Sequence, residues 1–300
     1  MILLDDAQST QARPSSRLYE QAIQSWTILP QPTHTETIAS IDQCLQEIKL
    51  AQARGEHVVA AFSYELGQYI NKIEPPMHRD KHCHPLMQAW SFNSFESLSK
   101  EDVDAFIGKR LVTLDPDSQV AGVANLQFSI NEEQFTSDIQ TIQEYIRNGD
   151  TYQINHTFRI TGEAYGDPLA LYARLRNRQP GRFGAFISEE STVILSQSPE
   201  LFIQKQGPTL KAMPMKGTAS ALSDSAEHLS QDGKNQAENV MIVDLLRNDI
   251  GKNCKIGSVK ADKLFQLQSF ANVHHLVSIV TGRLKQGKTA IDLLRGCFPG

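Results

Sequence analysis

The chain has 300 residues, 40% of them hydrophobic and 21% charged, with a formal net charge of −5. This is an ordinary globular composition, too apolar for a disordered chain, and its mild acidity gives no reason to expect nucleic acid or an anionic membrane as main partner. No apolar run approaches the roughly 20 residues that cross a bilayer, the start MILLDDAQST carries no basic leader, and Cys44, Cys83, Cys254 and Cys297 lie far apart, as free thiols in a reducing compartment do; the expected location is the cytoplasm.

In chain order, residues 1–32 read as irregular. Ile38, Ile41, Leu45, Ile48 and Leu50 then recur at helical spacing, and Gly55 is a stop. VVAAFSYELG predicts a strand from Val58 to Tyr64. Residues 71–110 read as the least regular part, with EPPMHRDKHCHP a proline-rich surface loop. A soft boundary near residue 125 separates an N-terminal region (1–124), integrated with the same fold, from a core (125–300). Phe135, Ile139, Ile142 and Ile146 predict a helix ending at Asn148-Gly149. TYQINHTFRI alternates and predicts a strand with one polar face. A short helix is predicted from Pro168 to Arg176. RFGAFISEESTVILSQSPELFI predicts strands joined at Glu189-Glu190, with another after Pro199, and LKAMPMKGT resumes the sheet. Val240, Val243, Leu246 and Ile250 mark a helix that Gly251 stops, widened by Met241 and Leu245. GSVKADKLFQLQSF follows, then VHHLVSIVTGRL (strand or helix by pattern) and a short helix in TAIDLLRGC. Strands arriving as neighbouring hairpins favour an antiparallel α+β fold.

Four places could carry chemistry, and each has an ordinary reading beside it. Lys216, between Pro214 and Gly217 at an apolar strand end, is a nucleophile if its amine is neutral, or an edge-strand lysine in water. Glu200, straight after Pro199, is a general acid or a turn residue. Glu238, early in an amphipathic helix, is a Mg²⁺ ligand or a surface glutamate near a helix start. His274 and His275 form a pair of which one could donate to a leaving oxygen, or both are structural. His78, His82, Cys83 and His84 lack the second distant ligand pair of a structural zinc site and read as loop. No nucleotide fingerprint, GxSxG, HExxH or CxxC occurs.

Taken together, GDTYQINHTFR (149–159), SQSPELF (196–202), PMKGTA (214–219), ENVMIVDLLRNDIG (238–251) and VHHLVS (273–278) resemble, in order and spacing, the chorismate-utilising enzymes. ARPSSRLYE and AFSYELG add a likeness in the first 120 residues. The resemblance implies an α+β fold with two antiparallel β-sheets packed as a sandwich and surrounding helices. Relatives continue past LLRGCFPG (293–300) into a second metal glutamate and a tyrosine and arginine that hold the carboxylates of chorismate. The fold is therefore expected to be C-terminally truncated here, and these 300 residues to bind chorismate poorly.

Within that family lysine at the position of Lys216 is similar to the branch that forms aminodeoxychorismate, where anthranilate-forming relatives usually carry alanine. The resemblance then implies an enzyme converting chorismate plus ammonia to 4-amino-4-deoxychorismate, the precursor of 4-aminobenzoate in folate synthesis. Lys216 is the implied nucleophile, Glu200 the acid that protonates the departing C4 hydroxyl, and His275 a neighbour of that oxygen. Gly217 and Thr218 are implied to line the substrate pocket, and Glu238 to bind Mg²⁺. The implied partner is a glutamine amidotransferase subunit supplying ammonia, with neither nucleic acid nor membrane involved. Two other classes stand beside this one: anthranilate formation, and a non-catalytic homologue or fragment serving as a binding module.

Overall fold

A computed structural model describes residues 1–73, 84–189, 192–220, 229, 231–269 and 273–299. The chain divides into two compact units, residues 1–103 with 179–300, and residues 104–178. His78, His82 and Cys83 of the histidine–cysteine loop lie outside the described residues.

The larger unit starts at its own centre. Strand β1 (Ile2–Asp5) lies between β2 (Ser16–Tyr19) and β9 (Phe183–Glu189) in a five-stranded sheet ordered β10-β9-β1-β2-β6, where β10 is Thr192–Ser198 and β6 is Glu96–Leu98. Ile2 faces Tyr19 on one side and Ile187 on the other, and Ile2 and Leu3 are fully buried. A three-stranded sheet, β3 (Gln24–Ile28), β5 (Met87–Phe92) and β4 (His57–Phe62), has β5 in the middle. Ile2, Tyr19, Val59, Trp90, Phe92 and Ile187 from these two sheets share one apolar core.

Helix α1 (His34–Ala53) begins with a capping box: Thr33 Oγ1 accepts from the Glu36 N–H at 3.2 Å, and the Glu36 carboxylate accepts from the Thr33 N–H at 3.1 Å. Its Ile41, Cys44, Leu45 and Ile48 pack on the three-stranded sheet, while Leu50 faces outward. The short α2 (Leu66–Ile70) joins the same core. Residues 71–110, read from sequence as irregular, hold β5, β6 and the start of α3 (Lys100–Val112). The reason is that MQAWSF is buried almost throughout, so it lacks the alternation that marks a one-sided strand.

The other five-stranded sheet runs β11 (Leu201–Gln206), β12 (Thr209–Met213), β15 (Val273–Arg283), β13 (Met215–Ser220), with β14 (Lys260–Ser269) also paired to β15. The stretch 273–283, open by pattern between strand and helix, is thus an 11-residue strand. One of its edges is shared, β12 pairing at Val280–Arg283 and β13 at Val273–Val277. Helices α7 (Gly233–Asn253) and α8 (Ala290–Cys297) cover this sheet. Val243, Ile250, Leu293 and Cys297 meet Leu210, Ala212 and Val280 there. Helix α7 continues past Gly251, the expected stop, to Asn253, and its buried stripe is Asn239, Val243 and Ile250. Val240, expected on that stripe, is 40% exposed.

The smaller unit holds α4 (Pro116–Gln119), the two-stranded ladder of β7 (Gly122–Phe128) and β8 (Ile160–Tyr165), α5 (Glu132–Asn148) and α6 (Pro168–Arg178). Helix α5 is capped by Asn131, which accepts from the Gln134 N–H at 2.8 Å, and ends at Gly149 with φ 80°, as expected. The strand expected over TYQINHTFRI forms only from Ile160 onward. Its alternation goes unused because the pairing edge of β7 is taken by Ile160–Tyr165. His156 Nε2 meets Asp138 Oδ2 at 3.0 Å, and Phe158 meets Phe128 and Phe135 at ring-centroid distances of 6.0 and 6.4 Å.

Among the described residues all ladders are antiparallel and helices accompany them, the expected α+β class, with the strands spread over two five-stranded and two smaller sheets. Among the described residues no helix is long and apolar enough to cross a membrane.

Candidate functional site

The sequence-predicted residues lie along the junction of β13, β15 and α7. Strand β13 follows Pro214, whose carbonyl accepts from the Ser278 N–H at 3.1 Å. Lys216 then pairs with Leu276, and Thr218 with His275, the register shifting between them. Gly217 is the extra residue of this bulge and takes φ +81°. A Cβ there would lie 3.0–3.1 Å from three atoms of the Asn235 side chain on α7, so both the backbone angle and the helix contact call for glycine.

Glu200 reaches this place from the turn between β10 and β11. Its Oε1 accepts from the backbone N–H of Met215 at 3.0 Å, beside Lys216. Leu201 pairs with Met213, which brings the Pro199-Glu200 turn level with the Pro214 turn. Lys216 itself is half-buried, whereas Glu200 and Thr218 are exposed.

The two histidines divide, as adjacent residues of a strand must. His275 Nδ1 lies 3.1 Å from Thr218 Oγ1, and His274 Nδ1 lies 2.8 Å from Ser269 Oγ. Of the two, His275 is the one that turns toward Thr218.

Glu238 is half-buried on α7, in its second turn. Among the described residues no group of three or more His, Cys, Asp and Glu side chains is gathered. A single partly exposed carboxylate nonetheless fits Mg²⁺, which takes one or two protein carboxylates and fills its octahedron with water and ligand oxygens.

Asn239, the next residue, went unnoticed in the sequence. It is fully buried. Its Nδ2 donates to the Leu276 carbonyl at 3.2 Å, and its Oδ1 accepts from the Ser278 hydroxyl. Ser278 Oγ in turn accepts from the Phe265 N–H at 3.2 Å. The one sequence signal was the spacing of Asn235, Asn239 and Val243, four residues apart and so on one helix face.

Comparisons with known proteins bear on the family of the chain. Aminodeoxychorismate synthase component 1 of Escherichia coli (strain K12) is 38% identical over 191 residues, 62% of this chain and 42% of that protein. Anthranilate synthase component 1 of Streptomyces coelicolor is 34% identical over 202 residues, 65% of this chain and 39% of that protein. The chain thus spans about two fifths of the length of these curated relatives. The crystal structure of anthranilate synthase component I from Streptococcus pneumoniae TIGR4 superposes with a TM-score of 0.66 at 24% identity, covering 82% of this chain and 61% of that one, and shows the same fold. The model of the chorismate binding enzyme family matches residues 2–300, and the chain belongs to that family.

Proposed function

We propose that the chain carries the aminating site of an aminodeoxychorismate synthase component 1, turning chorismate and ammonia into 4-amino-4-deoxychorismate. The observation that carries this is Lys216, held between the Glu200–Met215 hydrogen bond and the Thr218–His275 pair. The 38% identity to the Escherichia coli enzyme supports it. The 34% identity to an anthranilate synthase makes anthranilate formation the second reading. Lysine at this position favours the first.

In the proposed reaction the Lys216 amine nitrogen forms a bond to C2 of chorismate while both ring double bonds shift along the conjugated diene and the C4–O bond breaks. Glu200 gives a proton to the departing hydroxyl, which leaves as water, and recovers one from the bonded lysine nitrogen. His275 lies beside that oxygen, oriented through its Thr218 contact. Ammonia then bonds at C4, both double bonds shift back and the C2–N bond breaks, the proton shed by the new C4 ammonium passing to the departing lysine nitrogen, so two substitutions replace one difficult displacement. Gly217 leaves the pocket floor without a side chain. Glu238 would hold Mg²⁺, which when bound neutralises a substrate carboxylate that otherwise repels incoming electron density. Ammonia would come from a glutamine amidotransferase subunit, and the product would feed 4-aminobenzoate and folate synthesis.

The test is a product assay by mass spectrometry with chorismate, Mg²⁺ and an ammonium salt. Aminodeoxychorismate is expected from the parent at chorismate concentrations high enough to offset weak binding. Lys216→Ala should abolish it, and Glu200→Gln should lower kcat by about 10²–10⁴-fold, the range for loss of a general acid. Anthranilate with release of pyruvate would overturn the reading in favour of the second. Absence of any amination product would overturn the assignment of this site to this chain.

A further inference from the structure

We infer that Asn239, with Ser278, is a positioning residue that sets the placement of Glu238 relative to His275; the role rests on the reading above, but its geometry does not. Helix α7 meets the sheet mainly through Val243, Ile250 and their apolar neighbours. Such packing is non-directional and tolerates a sliding or turning helix better than hydrogen bonds do. The Asn239 amide bonds to residues 276 and 278 of β15, two positions that share one face of the strand. It therefore fixes both the height of the helix along the strand and its rotation about its own axis.

What it fixes is specific. Glu238 directly precedes Asn239, and His275 directly precedes Leu276. One hydrogen bond thus separates the backbone of the carboxylate from that of the histidine. Asn235, one turn earlier on the same face, packs over Gly217 between Lys216 and Thr218. The helix is keyed to β15 through Asn239 and to β13 through Asn235. Ser278 extends the lock to β14, whose register against β15 shifts between Lys263 and Gln266, where the Phe265 N–H turns to the serine hydroxyl.

The network is fully buried, with Asn239 and Ser278 both at 0% exposure. A buried amide whose partners are removed leaves polar groups with no water to take their place. Such networks specify one arrangement rather than merely adding stability.

The experiment compares Asn239→Ala with Val243→Ala in the full chain. Both create a cavity under α7, but only the first breaks the lock. The main readout is the imidazole ¹⁵N spectrum of histidine-labelled protein, with the His275 signal identified by its loss in His275→Gln. The second readout is the division of the amination rate between kcat and KM. Asn239→Ala is expected to move the His275 ring resonances and to lower kcat by about 10–100-fold, the scale of a sub-ångström to 1 Å misplacement. Val243→Ala should destabilise the protein while leaving the His275 resonances and kcat in place. Equal behaviour of the two variants at His275 would overturn the proposal. Should Asn239→Ala fail to fold, Ser278→Ala removes half the network and is read in the same way. A parent that makes no amination product would sink the functional reading alone, because the His275 spectrum needs no substrate.

Discussion

At the scale of single residues, chemistry was visible where residue type and neighbours were unusual together. Lys216 between a proline and a glycine, and Glu200 after Pro199, stand out because a charge at a strand end needs a reason. Their neighbourhood through Met215 did not follow from the sequence alone, since it depends on two turns 15 residues apart lying level. Asn239 was invisible for a related reason. A buried asparagine and a surface asparagine look alike until the partner is known, and its partners are 37 and 39 residues away. The free thiols give a direct check on burial. Burial first, then the nearby Glu47 carboxylate, pushes the Cys44 thiol up to about 12. Burial and then Asp249 push Cys297 up to about 11, and burial also raises Cys254. A thiol reacts as its thiolate. In a Cys83→Ser variant at pH 8, a disulfide reagent should therefore label none of Cys44, Cys254 and Cys297 on the minutes scale, and all three after unfolding in guanidinium. Rapid labelling of the native chain would contradict the burial described.

At the scale of elements, periodicity found the helices better than the strands. Helices α1, α5 and α8 carry local start and stop signals that need no tertiary partner. The largely apolar VVAAF is legible as a strand, whereas the buried MQAWSF carries no alternation to mark it, and TYQINHTFRI alternates without a pairing edge. In α7 the expected stripe holds at Val243, Leu246 and Ile250 and differs at its first position, where Asn239 is buried and Val240 is exposed, two residues 100° apart around the axis. The cap of α8 tests the local part of this account. Thr289 Oγ1 accepts from the Asp292 N–H at 3.4 Å, and Asp292 accepts from the Thr289 N–H at 2.8 Å. Thr289→Ala should cost about 1 kcal/mol by urea denaturation at pH 7. Partial burial raises the Asp292 carboxyl, but the Thr289 hydrogen bonds and Lys288 outweigh it and hold the group below its ordinary value. A carboxyl depressed by folding stabilises above its unfolded pKa, about 3.9, and loses that contribution as pH falls through the lower folded value. The stability gap between the parent and Asp292→Asn should accordingly be present at pH 6 and shrink steadily below pH 4. A gap that widens on acidification would show that the carboxylate is not the stabilising form.

At the scale of the whole molecule, the antiparallel α+β class was legible, because strands followed one another as hairpins. The long-range order was not. Nothing in MILLDD announces that it pairs with residues 183–189, since register across so many intervening residues leaves no local trace. Yet that pairing joins the two stretches of the larger unit, residues 1–103 and 179–300. Strand β1 is flanked on both sides, so removing it would leave the edges of β2 and β9 without partners and bare Phe186 and Ile187, both buried now. A chain starting at residue 6, which lacks β1 and keeps β2, should therefore lose the cooperative unfolding of the larger unit and collect in the insoluble fraction. Leu3→Ala is the graded version. Leu3 is 0% exposed, and a cavity at such a site costs about 2–5 kcal/mol. Ile256→Ala provides the control, because that side chain is fully exposed and its change should stay within about 0.5 kcal/mol. Urea titrations followed by tryptophan fluorescence would read both point variants, Trp26 and Trp90 being buried in this unit. If Leu3→Ala and Ile256→Ala shifted the midpoint equally, β1 would not be a central strand. If only Leu3→Ala shifted it, the first residues of the chain would help hold the unit that carries Lys216, Thr218 and His275, although they lie more than 200 positions away in sequence.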